Sequence, residues 1–189
     1  MKLKFKIYNF FRNLIFVPIN FIRCKIYPFW AIIDYDTGKP FDYKFTWYDD
    51  IPMGWRKAFG KQLSKDLKKA LIKSRDLYNF KFTQIKEKYG TLCLYNNGCT
   101  KEVSDIIQYY EDLSMCYCIN CGKPSRWVTE GWISYLCDNC AQKIAAEGRR
   151  RIDVDDIPTW KEQINGEWVI KDLGINYKEL LGLNDENNK

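Results

Sequence analysis

The chain has 189 residues, 46% of them apolar and 29% charged, a balance typical of folded proteins rather than fibrous or unstructured ones. It contains no histidine, which excludes Ser-His-Asp and Cys-His catalysis, histidine metal ligands and an imidazole pH switch. Thirty basic residues against 24 acidic ones give a net charge of +6, unevenly spread: residues 1 to 33 carry Lys2, Lys4, Lys6, Arg12, Arg23 and Lys25 with no acid, residues 56 to 90 have a local excess of eight positive charges, and residues 152 to 189 sum to −5. Polarised charge of this kind concerns partners more than fold.

Residues 1 to 33 are basic, aromatic and apolar at once. Between Arg12 and Arg23 lie ten uncharged residues that include Pro18, too few for a bilayer that needs about 20. No small-residue cleavage site follows, so a secretory leader is a poor reading. The stretch is expected to pack on the rest of the protein, to lie in a membrane interface with lysines flanking Phe and Ile side chains, or to bind a partner. Gly38-Lys39-Pro40 and Asp49-Asp50 then mark a loop.

A helix is expected from near Gly54. Trp55, Phe59, Leu63, Leu67, Ala70 and Leu71 fall on one broad face, with Lys57, Lys61, Lys65, Lys68, Lys69 and Arg75 opposite. Lysines four apart repel by a few tenths of a kcal/mol per pair, so a merely solvated face would mix in more Glu. This face, with Arg149, Arg150 and Arg151 further on, is the candidate contact surface for nucleic acid or another anionic partner.

Phe80, Phe82, Leu92 and Leu94 alternate around Gly90, the pattern of a β-hairpin. Asn96, Asn97 and Gly98 break the chain, and Thr100 stands where a helix N-cap would precede Val103, Ile106, Ile107, Tyr110 and Leu113. Cys93 and Cys99 read as ordinary structural thiols.

The most specific pattern follows. Cys118 and Cys121 form one Cys-x-x-Cys and Cys137 and Cys140 another, with 15 residues between the pairs. Each turn lets two thiolates point at one ion, and two such turns supply a tetrahedral four-thiolate set for one Zn2+. Four protein thiolates leave no open position, so the metal is expected to be structural. Disulfide and thioredoxin-like readings are weaker, since nothing marks a secreted chain and a redox site needs one pair rather than two. Cys116 is an alternative ligand with less usual geometry. Residues 126 to 136 read as a short hairpin, and residues 141 to 151 as a short helix ending near Gly148.

The string QIKEKYGTLCLY, then a helix, then Cys-x-x-Cys-Gly-Lys-Pro with a Gly-Trp and a second cysteine pair, resembles a group of small uncharacterised proteins encoded by bacteriophages and prophages. The upstream Gly54-Trp55 also fits. The resemblance covers about residues 47 to 142; it implies phage or mobile-element origin and zinc binding, and it transfers no catalytic residue.

Asn165-Gly166 between residues 160 to 164 and 167 to 170 is a strong hairpin signal. Asp153, Asp155 and Asp156 precede it and read as an acidic linker, loosely resembling a carboxylate cluster. The expected fold is therefore α+β: a basic N-terminal segment (1 to 46), a helix-hairpin-helix body (47 to 115), a four-cysteine module of zinc-ribbon or treble-clef type (116 to 151), and an acidic C-terminal hairpin and tail (152 to 189). Three functions fit. The preferred one is a non-catalytic, zinc-stabilised binding protein of the bacterial cytoplasm, contacting nucleic acid or a host protein complex, for instance as an inhibitor of host defence. The others are a metal-dependent nuclease resting on the three aspartates, and a membrane-surface protein anchored by residues 1 to 33.

Overall fold

The structure, a computed structural model, describes residues 2–34, 36–129 and 131–146 and the strand backbones at 152–153, 160–164 and 167–171, with side chains from residue 13. It mixes helices with small antiparallel sheets. In chain order come α1 (Lys2–Ile26), a 3-10 turn (Pro28–Trp30), α2 (Trp47–Asp50), α3 (Met53–Trp55), a π turn (Arg56–Gly60) and α4 (Lys61–Lys73). Then follow β1 (Phe82–Lys88), β2 (Thr91–Asn96), α5 (Lys101–Ser114), β3 (Trp127–Thr129), β4 (Tyr135–Leu136), α6 (Asp138–Ala146), β5 (Ile152–Asp153), β6 (Trp160–Ile164) and β7 (Glu167–Lys171).

The helical stretch that begins at Met53 buries all six residues of its apolar face. Trp55, Phe59, Leu63 and Leu67 are spaced by four, which drifts around a 3.6-residue helix. The π turn over Arg56–Gly60 widens one turn and absorbs part of that drift. Beyond α4 the chain stops on Arg75, whose φ is 60°. Its N–H donates to the Ile72 carbonyl at 3.1 Å and the Asp76 N–H to the Leu71 carbonyl at 2.8 Å. This is a Schellman ending with arginine where glycine is usual.

β1 and β2 form an antiparallel hairpin around Tyr89-Gly90, with Ile85 opposite Leu94 and Glu87 opposite Leu92. Both turn residues have positive φ, 51° and 78°, as a type I′ turn requires. A register shift between Phe82 and Gln84 changes the alternation, so that Phe82 and Ile85 both face the core. A two-stranded sheet is marginal alone. Here α5 packs on it and supplies side-chain acceptors along the outer edge: Leu92 N–H donates to Ser114 Oγ at 2.9 Å and Leu94 N–H to Glu111 Oε1 at 2.6 Å.

The main core takes residues from Cys24 to Cys116, so the chain just after α1 is built into the body. Trp30 is fully buried, stacks on Phe82 at 5.0 Å, and donates from Nε1 to Ser64 Oγ at 3.0 Å. The smaller core of the cysteine module holds Cys118, Trp127, Leu136, Cys137 and Ala141. Its sheet has three strands in the order β4-β3-β5. The third strand, with Val128 opposite Asp153, comes from the stretch that sequence grouped with the acidic C-terminal part. β6 and β7 pair antiparallel, Ile164 opposite Glu167.

α1 reverses the usual amphipathic rule. Asn20 is 0% exposed and Cys24 7%, whereas Leu14 is 62%, Ile15 58% and Ile22 58% exposed. The inward side is held by polar contacts: Asn20 Nδ2 donates to the Tyr43 carbonyl and to Asp49 Oδ2, both at 3.1 Å, and the Arg23 guanidinium lies 4.2 Å from the Tyr48 ring centre. Asp49 is the hub, because it also caps α2 through the Thr46 N–H and hydroxyl and pairs with Arg56 at 3.3 Å. Burial pushes the Cys24 thiol up to about 11, so it stays protonated at neutral pH.

Candidate metal centre and basic face

The cysteine site starts from two local turns. In the first, the Cys118 N–H donates to the Lys123 carbonyl at 2.7 Å and the Gly122 N–H to the Cys118 carbonyl at 2.9 Å. Gly122 has φ of 81°, a value that favours glycine. In the second, the Cys137 carbonyl accepts from the N–H groups of Cys140 (3.0 Å) and Ala141 (2.9 Å), placing Cys137 at the mouth of α6 and Cys140 in its first turn.

These turns bring the four sulfurs within 4.8 Å of one another, Cys118 and Cys137 buried and Cys121 and Cys140 half-buried. A tetrahedral ion with bonds of about 2.3 Å needs sulfurs about 3.8 Å apart, so the group can hold a metal ion. Cys121 and Cys137, at 3.4 Å, lie well beyond the roughly 2.05 Å of a disulfide. Cys116, the alternative ligand, belongs to the main core and not to the four-sulfur group. Burial raises the Cys121 thiol, but the Lys123 N–H and the surrounding thiols outweigh it and hold this group below its ordinary value. Burial together with Cys118 holds Cys140 well above its own.

The centre is tied to the body at places that sequence reasoning passed over. Gly54 N–H donates to the Ile119 carbonyl at 3.0 Å, and Trp55 Nε1 donates to the Tyr117 carbonyl at 3.0 Å. A Cβ on Gly54 would collide with the Cys118 and Ile119 carbonyl oxygens, and one on Gly122 with the Gly54 oxygen. At the hairpin tip, a Cβ on Gly90 would lie 2.7 Å from Ile133 and 3.0 Å from Tyr135. Within the module, Asp138 accepts from Trp127 Nε1 at 3.0 Å and pairs with Arg126 at 3.5 Å. The one sequence signal for these ties was the presence of Gly54-Trp55 and Tyr89-Gly90 within the resembled motif.

Of the contact residues read from sequence, Lys57, Lys61, Lys65 and Lys69 stand exposed along the outer side of α4 and the turn before it. Among the described residues none of the four forms an ion pair. Asp66, the one acid of this helix, faces α5 and accepts from the Tyr110 hydroxyl at 2.6 Å. Lys68 is half-buried, its Nζ 5.5 Å from the Tyr27 ring centre. Tyr27, Lys65, Lys68, Lys69 and Ile72 line a shallow groove there. Arg75 is exposed past the helix end. Arg149, Arg150 and Arg151 lie outside the described residues, as do Asp155 and Asp156, and the structure describes only the backbone of Asp153. No helix among the described residues is long and apolar enough to cross a membrane.

Searches of the chain against family models, curated proteins and solved structures return no match.

Proposed function

We propose that this chain is a non-catalytic binding protein in which one structural Zn2+, held by Cys118, Cys121, Cys137 and Cys140, fixes the cysteine module on the body, and the lysine face of α4 meets a polyanion. The zinc reading rests on the four-sulfur group. Thiolates fill all four positions of a tetrahedral ion, which leaves none for substrate or water. The ligand pattern of one turn ahead of a short β-hairpin and one at the start of a helix fits a treble-clef or zinc-ribbon module. The ion would do no chemistry beyond folding a core of five buried residues, too few to close on their own.

The binding reading rests on one observation, the exposed row Lys57, Lys61, Lys65 and Lys69, which forms no ion pair among the described residues. Its spacing follows a helix face along which phosphates can be met one after another. Nucleic acid is the partner this favours; the resemblance to phage and prophage proteins would make it host or phage nucleic acid, with a host protein complex as the other source of an acidic surface. The test is binding of the full, zinc-loaded chain to a mixed-sequence duplex as salt is raised. Affinity should fall linearly on logarithmic axes, and Lys61→Glu, Lys65→Glu and Lys69→Glu together should lower the slope by about one for each phosphate that is no longer met. Binding indifferent to salt and to the triple change would leave this face merely solvated.

A further inference from the structure

From residue 13 on, α1 carries most of its apolar side chains on the wrong side for a helix that ends on a folded body. Leu14, Ile15, Ile19, Phe21, Ile22 and Ile26 are all 44% or more exposed, and Pro18 between them is exposed as well. The inward side is satisfied by Asn20, Arg23 and Cys24, so a simple roll of the helix would bury isoleucines against Asp49 and strip Asn20 of its partners. The outward face is thus locked outward by specific polar bonds. An apolar face of this size marks a place where something else sits.

The charge says what. Residues 1 to 33 hold six basic residues and no acid, so a second copy of the helix would bring two all-basic segments together. Nucleic acid would match the charge and leave the aliphatic face in water. A helix of 25 residues is about 37 Å long, yet none in the described residues can cross a bilayer. A basic helix with an aliphatic face, long enough to span but with an uncharged run of only ten residues between Arg12 and Arg23, suits the plane of an anionic membrane surface. The lysines of α4 continue the basic surface, since Lys68 and the α4 groove begin at Tyr27, one residue past the end of α1.

We infer that α1 is an in-plane anchor that lays its Leu14-to-Ile26 face into the interface of an anionic lipid bilayer. Lys25, exposed beside that face, meets the lipid phosphates, the net positive charge of the segment favours an anionic surface, and the body with its cysteine centre rides on the membrane. This goes beyond the polyanion reading of α4 and does not depend on it.

The test is flotation of the full, zinc-loaded chain with vesicles of phosphatidylcholine alone or with about a third phosphatidylglycerol. The chain should float with the anionic vesicles and stay behind with the neutral ones at physiological salt. Ile15→Asn, Ile19→Asn and Ile22→Asn together should weaken vesicle binding on the order of a hundredfold, while zinc content, melting temperature and duplex binding stay at parental values. Because these positions are exposed, the variant should fold, and its zinc content shows that it has. Flotation equal on both vesicles, or unaltered by the triple change, overturns the anchor. So does a concentration-dependent dimer that the same change dissolves while vesicles are ignored, which would assign the face to a second copy. Loss of duplex binding in the α4 triple variant with flotation retained separates this anchor from the polyanion reading.

Discussion

Gly54 and Gly122 meet backbone to backbone: a Cβ on Gly122 would collide with the Gly54 carbonyl oxygen, and one on Gly54 with the carbonyl oxygens of Cys118 and Ile119. The first cysteine turn is thereby pressed onto the start of the long helical stretch, and Trp55 fixes it there by donating to Tyr117. Gly54→Ala should cost about 2–3 kcal/mol of stability, because neither backbone can retreat without breaking the Gly54–Ile119 hydrogen bond. Zinc content should remain at one equivalent, since all four ligands lie within the module. Denaturant unfolding and metal analysis of the same variant check both halves.

Arg75 holds a left-handed backbone that glycine adopts without strain. Arg75→Gly should therefore raise stability by about 0.5–1 kcal/mol and at the same time weaken duplex binding, because an exposed charge of the basic face is removed. Thermal unfolding and anisotropy titration would show the two moving in opposite directions. Parental duplex binding in this variant would remove Arg75 from the contact surface.

Burial raises the Glu111 carboxyl above its ordinary range, against the opposing pull of the Leu94 N–H. The folded state thus keeps this proton to higher pH than the unfolded chain does, and stability contributed by the protonated form is lost as pH rises from the ordinary Glu value through the raised one. Glu111→Gln retains an oxygen to accept from Leu94 and has no charge to bury. The variant should be the more stable protein at neutral pH, with the two unfolding free energies converging as pH falls. A destabilised variant at pH 7 would mean that the ionised carboxylate is worth more to the β2 edge than its burial costs.

The parts of this fold readable from sequence are those whose physics is local. Two Cys-x-x-Cys turns each bring their thiols together by short-range geometry, and the four sulfurs do stand together. A lysine row opposite Leu63, Leu67 and Leu71 needs only helical periodicity. The outward face of α1 was not readable, because burial of apolar residues is the default and the partners that reverse it, Tyr43 and Asp49, lie more than 20 residues from Asn20. A still larger separation hid the role of Gly54: its neighbour Gly122 lies far along the chain and is brought close only by tertiary packing. The π turn and the shift between Phe82 and Gln84 also follow from packing, and they alter the periodicity from which faces are read.

The central claim is that one ion, bound by four cysteines, holds the module together, and metal analysis of the purified full chain and its Cys137→Ser variant tests it most directly. The parent should carry close to one equivalent of zinc, displaced by chelator with loss of the module's fold, because binding and folding are coupled. The variant should carry little or none. A parent without zinc, or a variant that keeps a full equivalent, would contradict the account.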